Sequence, residues 1–383
     1  MWQIGKHLRK AKLKMVRINT KIISLLVLLN IFLLLTPFFN VNYIPFSSSS
    51  FVWVDNNFRF NSSRAYELIS KQVHFGPRYP GSEGIENTRH LIASELLPEG
   101  KWIISYQNFS RTWVNDENIT LVNVICKPNI YDQSQPSFLL LAHYDTRLWA
   151  DKDPDPSKRK QPVPGANDGG SGVAVVIELG RILLEEYSLS NLQLVFFDGE
   201  DQGNINGWDW LIGSKFYAKS LEFKKQNLSF GILFDMVGGY NAIFKKEKYS
   251  DKYAGQIVSH IWDKAANLGY DDYFVNQLGN WIIDDHLPLL KEGLPAIDII
   301  DDFSSGYIPW HTTFDNMTYI SKETLEAVGY TIESVLSKNA ELSELHSNLR
   351  PFTFQTSIYF YYCLTGLIML PLIILHKRRI LKH

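Results

Sequence analysis

Apolar residues recur along this chain with two periods, and the alternation between them predicts its architecture. Helical spacing runs through residues 63–75, 85–97, 172–186, 210–223, 256–268, 285–291 and 321–336. Short apolar runs of strand length fall at 102–109, 120–126, 137–142, 192–197, 230–234 and 296–300. Strands alternating with helices over this length predict one α/β domain with a mostly parallel central sheet flanked by helices. The dense turn set Gly76-Pro-Arg-Tyr-Pro-Gly-Ser82 separates the first two helices, and the charged, proline-rich stretch 151–164 reads as a surface loop.

Two further apolar runs lie outside this alternation. Residues 22–39 are interrupted only by Ser24, Asn30, Thr36 and Pro37, and a second run covers 358–375. Each is close to the ~20 residues a bilayer-spanning helix needs. Lys6, Arg9, Lys10, Lys12, Lys14, Arg17 and Lys21 precede the first, and Lys377, Arg378, Arg379 and Lys382 follow the second. The positive-inside rule then predicts two transmembrane helices, with basic tails 1–21 and 376–383 in the cytoplasm. The expected order is tail, span, a linker over 40–62, a catalytic domain over 63–345, span and tail. The domain is expected on the extracytoplasmic or lumenal side, or the first run is a cleaved signal. Sequons at Asn61, Asn108, Asn118, Asn227 and Asn316 fit that side.

The net charge of −2 gives no basic surface for nucleic acid. Two cysteines, Cys126 and Cys363, exclude a disulfide framework.

The candidate chemistry shares one location. His143 and Asp145 follow the run 137–142, Glu200 and Asp201 follow 192–197, and Asp235 follows 230–234. His311 lies in the loop after 296–300, and Asp168 sits in the glycine-rich turn Gly165-Ala-Asn-Asp-Gly169 that opens a helix. Carboxyl ends of parallel strands are where open α/β sheets bind ligands. Carboxylates crowded on one rim repel one another and cannot all ionise without a cation. Two imidazoles with several carboxylates suit zinc, with manganese or cobalt as alternatives. Of the adjacent pair Glu200-Asp201, one can hold a metal while the other serves as general base.

These motifs resemble, in order, those of the zinc exopeptidases that include secreted bacterial aminopeptidases and glutaminyl-peptide cyclotransferases. They are Gly76–Ser82, Ala142-His-Tyr-Asp-Thr146, Gly165-Ala-Asn-Asp-Gly169, Phe197-Asp-Gly-Glu-Asp201, Phe234-Asp-Met-Val-Gly238, Asp284-Asp-His-Leu-Pro288 and Trp310-His-Thr312. The resemblance implies one zinc site at His143, Asp168 and Asp235 and another at Asp168, Asp201 and His311, with Asp168 shared. It implies Glu200 as the general base and acid, and Asp145 as the carboxylate that orients His143. Asp201 stands where many relatives carry Glu.

Asp284 and Trp310 are similar to the cyclase branch, which implies Asp284 in a proton relay and Trp310 and Trp208 in a glutamine pocket. Asp298 departs from the animal cyclases, which have His there. The activity implied is conversion of an N-terminal glutamine to pyroglutamate with one zinc. Hydrolysis of N-terminal residues with two zincs is the alternative, and a receptor-like member without activity a third. No ligand and no Glu200 has been lost, as a receptor-like member would allow.

Overall fold

The computed structural model describes residues 58–354 apart from 98–99, 113–116, 221–225, 304–308, 339–344, 348 and 350–351. Both apolar runs expected to span a bilayer, at 22–39 and 358–375, lie outside the described residues, as do the two tails. Among the described residues no helix is long and apolar enough to cross a membrane.

In chain order the elements are α1 (Ser62–His74), α2 (Glu83–Leu96), β1 (Trp102–Thr112), β2 (Asn118–Pro128), β3 (Ser137–His143), α3 (Gly170–Glu185), β4 (Leu192–Phe197) and α4 (Ile212–Ser220). They continue with β5 (Leu228–Asp235), β6 (Phe244–Lys246), α5 (Lys248–Leu268), β7 (Phe274–Leu278), α6 (His286–Lys291), β8 (Ala296–Ile300) and α7 (Lys322–Leu336). Asn61, Ser82 and Ser321 cap α1, α2 and α7 by accepting from backbone N–H groups of the first turn.

Six strands form one sheet in the order β1-β2-β4-β3-β5-β8. The central sheet has the mostly parallel body expected from the alternation, with an antiparallel edge added to it. β4, β3, β5 and β8 pair in parallel, but β1 pairs antiparallel with β2, and β2 antiparallel with β4. The short connection after β1 accounts for the first of these antiparallel pairs, since it suffices for a hairpin but not for a parallel crossover. A second, two-stranded sheet of β6 and β7 was not legible as apolar runs. Its strands are three and five residues long and carry polar side chains such as Lys245, Asn276 and Gln277. Helix α5 begins eight residues before its apolar periodicity, because its first turns break at Ala254, where φ is −138°.

β3 lies between β4 and β5, so the chain leaves it to one side through α3 and returns on the other through α4. The loops at its carboxyl end diverge and leave a crevice there. The strands below are apolar on both faces: β3 and β4 are fully buried, as continuous apolar strands covered by helices should be.

Helix α3 meets the sheet at very short range. A Cβ on Gly172 would lie 2.0 Å from the Phe234 carbonyl oxygen and 3.2 Å from the Ala142 Cβ. Gly172→Ala is therefore expected to destabilise the domain by about 1–3 kcal/mol through overpacking. Chemical denaturation reads this directly, and an unchanged midpoint would contradict the close approach of α3 to β5.

Candidate active site

The ends of β3, β4 and β5 bring the expected ligands into two buried clusters that share Asp168. His143 Nε2 lies 3.2 Å from an Asp168 oxygen and 3.1 Å from Asp235 Oδ1. His311 Nε2 lies 2.8 Å from Asp201 Oδ1 and 3.7 Å from the other Asp168 oxygen. In each trio, His143–Asp168–Asp235 and Asp168–Asp201–His311, the potential ligand atoms lie within 4.8 Å of one another.

The backbone is forced to make this approach. Gly169 has φ +78°, and a Cβ there would lie 2.7 Å from the Asp145 carbonyl oxygen and 3.1 Å from the His143 ring. Met236, beside Asp235, and His311 itself also adopt positive φ, 48° and 56°. For side-chain-bearing residues such backbone costs on the order of 1–3 kcal/mol each and persists where the surroundings over-determine it.

The clusters fit a cation on their own chemistry. Asp168 Oδ2 and Asp201 Oδ2 are buried with no hydrogen-bond partner. Leaving a charged acceptor buried and unpaired is costly. Burial, then the neighbouring negative charge, pushes the carboxyls of Asp201 and Asp235 above their usual range, against the pull of the imidazoles. Asp168 is also desolvated, but its hydrogen bond to His143 and the two imidazoles hold it low. Oxygen and imidazole ligands of this kind suit zinc. Asp168, Asp201 and His311 would hold one ion, and His143, Asp168 and Asp235 another.

Asp145 sits beneath both clusters. Its Oδ1 is 3.6 Å from His143 Nδ1 and accepts from the Glu200 backbone N–H at 3.0 Å. Its Oδ2 accepts from the Asp201 N–H and from Gln202 Nε2 at 2.9 Å. One buried carboxylate thus lies beside the imidazole and holds the turn that carries Glu200 and Asp201.

Glu200 and Asp284 face a cavity of about 230 Å³ together with Asp168, Asp201, Asp235 and His311. Its walls are apolar, with Trp210, Trp310, Met236, Ile283 and Phe303 among them. Burial first, then the charges of Asp201, Asp284 and Asp285, lifts Glu200 well above the ordinary carboxylate range. Burial, followed by the charge of Asp235, pushes Asp284 up to about 8.

Trp310 stacks on His311 with ring centroids 3.7 Å apart. Trp208, expected in the pocket, does not line it. Its ring is buried with Phe109, Leu121 and Ile212, and its indole N–H donates to the Thr112 carbonyl. Trp210 takes that place, its ring stacked on His311 with centroids 5.9 Å apart. Two residues apart in an irregular loop, the two indoles could be told apart only by the turn's geometry.

Four further residues position the ligands and carried no sequence signal of their own. Asp151 Oδ1 lies 3.5 Å from His311 Nδ1 and is gripped by Arg147 through both carboxylate oxygens, at 3.1 and 2.7 Å. Arg147 also donates to the Asp201 carbonyl at 2.9 Å and lies 4.7 Å from the Trp210 ring. Asp315 accepts from the N–H groups of Asn167 and Asp168 at 2.8 and 3.0 Å. The buried Arg78 guanidinium donates to the carbonyls of Tyr144, Pro164 and Gly165. Arg78 lies within the noted turn motif Gly76–Ser82, but nothing in the motif tells that its side chain reaches the Asp168 loop.

Fold and site together define an α/β protein of the metal-dependent exopeptidase type. The chain belongs to peptidase family M28, whose sequence pattern matches residues 123–336. It is similar to the glutaminyl cyclase of Tannerella forsythia, at 37% identity and TM-score 0.67, over 73% of this chain and 99% of that one. It is equally similar in fold to a leucine aminopeptidase precursor from Bacteroides thetaiotaomicron, at 33% identity and TM-score 0.67, over 73% and 98%. Aminopeptidase YwaD of Bacillus subtilis is 31% identical over 43% of this chain, and the match spans only 36% of that relative's length.

Asp151→Asn and Arg147→Met are expected to weaken zinc binding by about 10–100-fold, the usual effect of removing a group that orients a ligand. Competition with a chromophoric chelator measures this, and unchanged affinity in both would contradict the positioning role. The metal-free protein should also lose stability as pH rises. A carboxyl such as Asp284, near 8 when folded and about 4 when unfolded, binds a proton in the native state that the unfolded chain has released. His311, raised to about 9 by Asp201 and Asp151 against its burial, acts in the same direction. Stability is then fully present below pH 4 for the acid and 6.5 for the imidazole, and falls toward pH 8–9. Thermal melts in chelator should show a lower Tm at pH 8 than at pH 5.5. A Tm that rises over that interval would contradict the crowding.

Proposed function

We propose that this chain is a zinc-dependent enzyme acting on the N-terminal residue of peptides, with glutaminyl-peptide cyclotransferase activity. The observation that carries this reading is the placement of Glu200 and a raised Asp284 on one small, apolar-walled cavity with Asp168, Asp201 and His311. Zinc held by those three residues would polarise the substrate carbonyl and offset the charge that develops on its oxygen.

The rest is done by the protein. The walls around Trp210 and Trp310 exclude water from a terminal glutamine and hold its side chain near its own α-amino group. Glu200 takes a proton from the α-amino nitrogen as that nitrogen attacks the side-chain carbonyl carbon. The new C–N bond closes the ring. Glu200 then delivers the proton to the leaving nitrogen, the carbon–amide bond breaks and ammonia departs. Asp284 faces the same cavity with its carboxyl raised by burial and by Asp235, and in its protonated form it would donate a hydrogen bond to the relay rather than add a second negative charge.

Aminopeptidase activity is the second reading, and one observation favours it: both ligand trios are complete. In that case Glu200 would deprotonate a water and protonate the leaving amine.

The tethering expected from the apolar runs is part of the proposal. The domain would sit on the extracytoplasmic side, held through 22–39 and 358–375. In support, the sequon asparagines Asn61, Asn108, Asn118 and Asn227 are exposed.

Glu200→Gln is expected to lower turnover by about 10²–10⁴-fold, the range for a general acid–base group, with zinc content unchanged. The purified protein, assayed with a glutamine-initiated peptide beside leucine amide, should yield pyroglutamate and no free leucine. Release of leucine without pyroglutamate would replace the cyclase reading with the hydrolytic one, and turnover surviving in Glu200→Gln would remove Glu200 as the base.

A further inference from the structure

The mouth of the cavity is rimmed by large apolar side chains that face solvent. Trp281 is 52% exposed, Ile283 67% and Phe303 41%. Ile283 and Phe303 belong to the cavity wall, whereas Trp281 stands outside it. Single exposed apolar residues are ordinary; a cluster at a functional opening marks a contact surface.

This rim does not stop at the mouth. The Trp281 ring meets Tyr249 edge-on with centroids 4.5 Å apart, and Tyr249 lies 6.2 Å from Phe354. Phe354 stacks on Tyr253 at 4.8 Å, and Tyr253 lies 5.2 Å from Phe352. A line of aromatic contacts thus leads from the opening along the first turns of α5 to the last described residue; beyond Trp281 its members are half-buried, with one side packed on the core around Leu287 and Leu290 and the other toward solvent. Lysines border it: Lys252 lies 4.8 Å over the Tyr253 ring, and Lys248 opens the same helix.

Four residues beyond Phe354 the sequence enters the apolar run 358–375. A run crossing a bilayer there would leave Phe354 no more than about 14 Å of extended chain from the membrane. Tryptophan and tyrosine bordered by lysine is the composition that seats at the headgroup level of a bilayer. Core packing accounts for the inner side of Tyr249, Tyr253, Phe352 and Phe354; a peptide substrate would need only the opening, not the outer edge of a strip that continues to Phe352.

We propose that this strip rests on a lipid bilayer and that the mouth of the active site faces the membrane surface, so that the enzyme works on N-termini presented there. The inference rests on the tethering proposed above, and its test separates the two.

The test uses the full chain with Cys363→Ser, leaving Cys126 buried and unreactive. Trp281→Cys, and separately Leu278→Cys, 56% exposed at the end of β7 three residues before Trp281, carry a bimane label. Ile103→Cys, 56% exposed on β1, is the control. The proteins are placed in nanodiscs of phosphatidylcholine and phosphatidylglycerol with or without brominated acyl chains. Co-elution with the discs reports the tether, and turnover of a short soluble glutamine peptide reports the enzyme independently. Brominated lipid is expected to quench the labels at 281 and 278 by about half and to leave the one at 103 unchanged, as for side chains at and away from the interface. Labels at 281 and 278 that stay unquenched in disc-bound protein would overturn the proposal and assign the apolar rim to the peptide's own side chains. A chain that does not co-elute with discs would overturn it together with the tether.

Discussion

Asp168 stands between two imidazoles, and the rest of the site is arranged around what its carboxylate demands. One oxygen approaches His143 and the other approaches His311, while Asp201 and Asp235 close in from either side. So many acids at such range are compatible with a folded interior only if they protonate or share a cation. The raised carboxyls of Asp201 and Asp235 are the first response, in a protein without metal; a bound ion is the second. The same crowding that calls for a metal also lifts Glu200 and Asp284, so the base and its neighbour owe their proton affinity to burial and to the charges around them.

The fold meets this demand by holding the ligand-bearing loops from below. Arg78 takes the carbonyls of the Asp168 loop and Asp315 takes its N–H groups, a buried opposite-charge pair on the two sides of one turn. Asp145 does the same for the Glu200–Asp201 turn, and Arg147 with Asp151 for Asp201 and His311. The backbone N–H groups of Asn167, Asp168, Glu200 and Asp201 are thereby paired. The divergence of connections at β3 supplies the opening into which these turns point.

The cyclase and hydrolase readings draw on the same side chains, and the difference between them lies in what shares the cavity with the substrate. Glu200 and Asp284 on a cavity walled by Trp210 and Trp310 suit a reaction in which the substrate supplies its own nucleophile. A complete second trio at His143 favours the reverse. The relatives divide in the same way, with a glutaminyl cyclase and an aminopeptidase precursor alike in fold similarity.

Apolar periodicity by itself determined the six long strands, the helices and the point at which each ligand leaves its strand, because burial imposes those periods on any sequence that folds this way. It also placed His143, Asp168, Glu200, Asp201, Asp235 and His311 at strand ends and turns, and their chemistry required a cation once they were assumed to converge. Only the tertiary structure decided that they do converge, which strands pair antiparallel, and that Trp210 rather than Trp208 lines the cavity. Arg147, Asp151, Asp315 and Arg78 became visible as supports in the same way. Their roles consist of contacts far apart in the chain, Asn167 to Asp315 across 148 positions among them, set by the packing of loops that carry no period. Local spacing reports what a residue buries, and long-range packing decides what it touches.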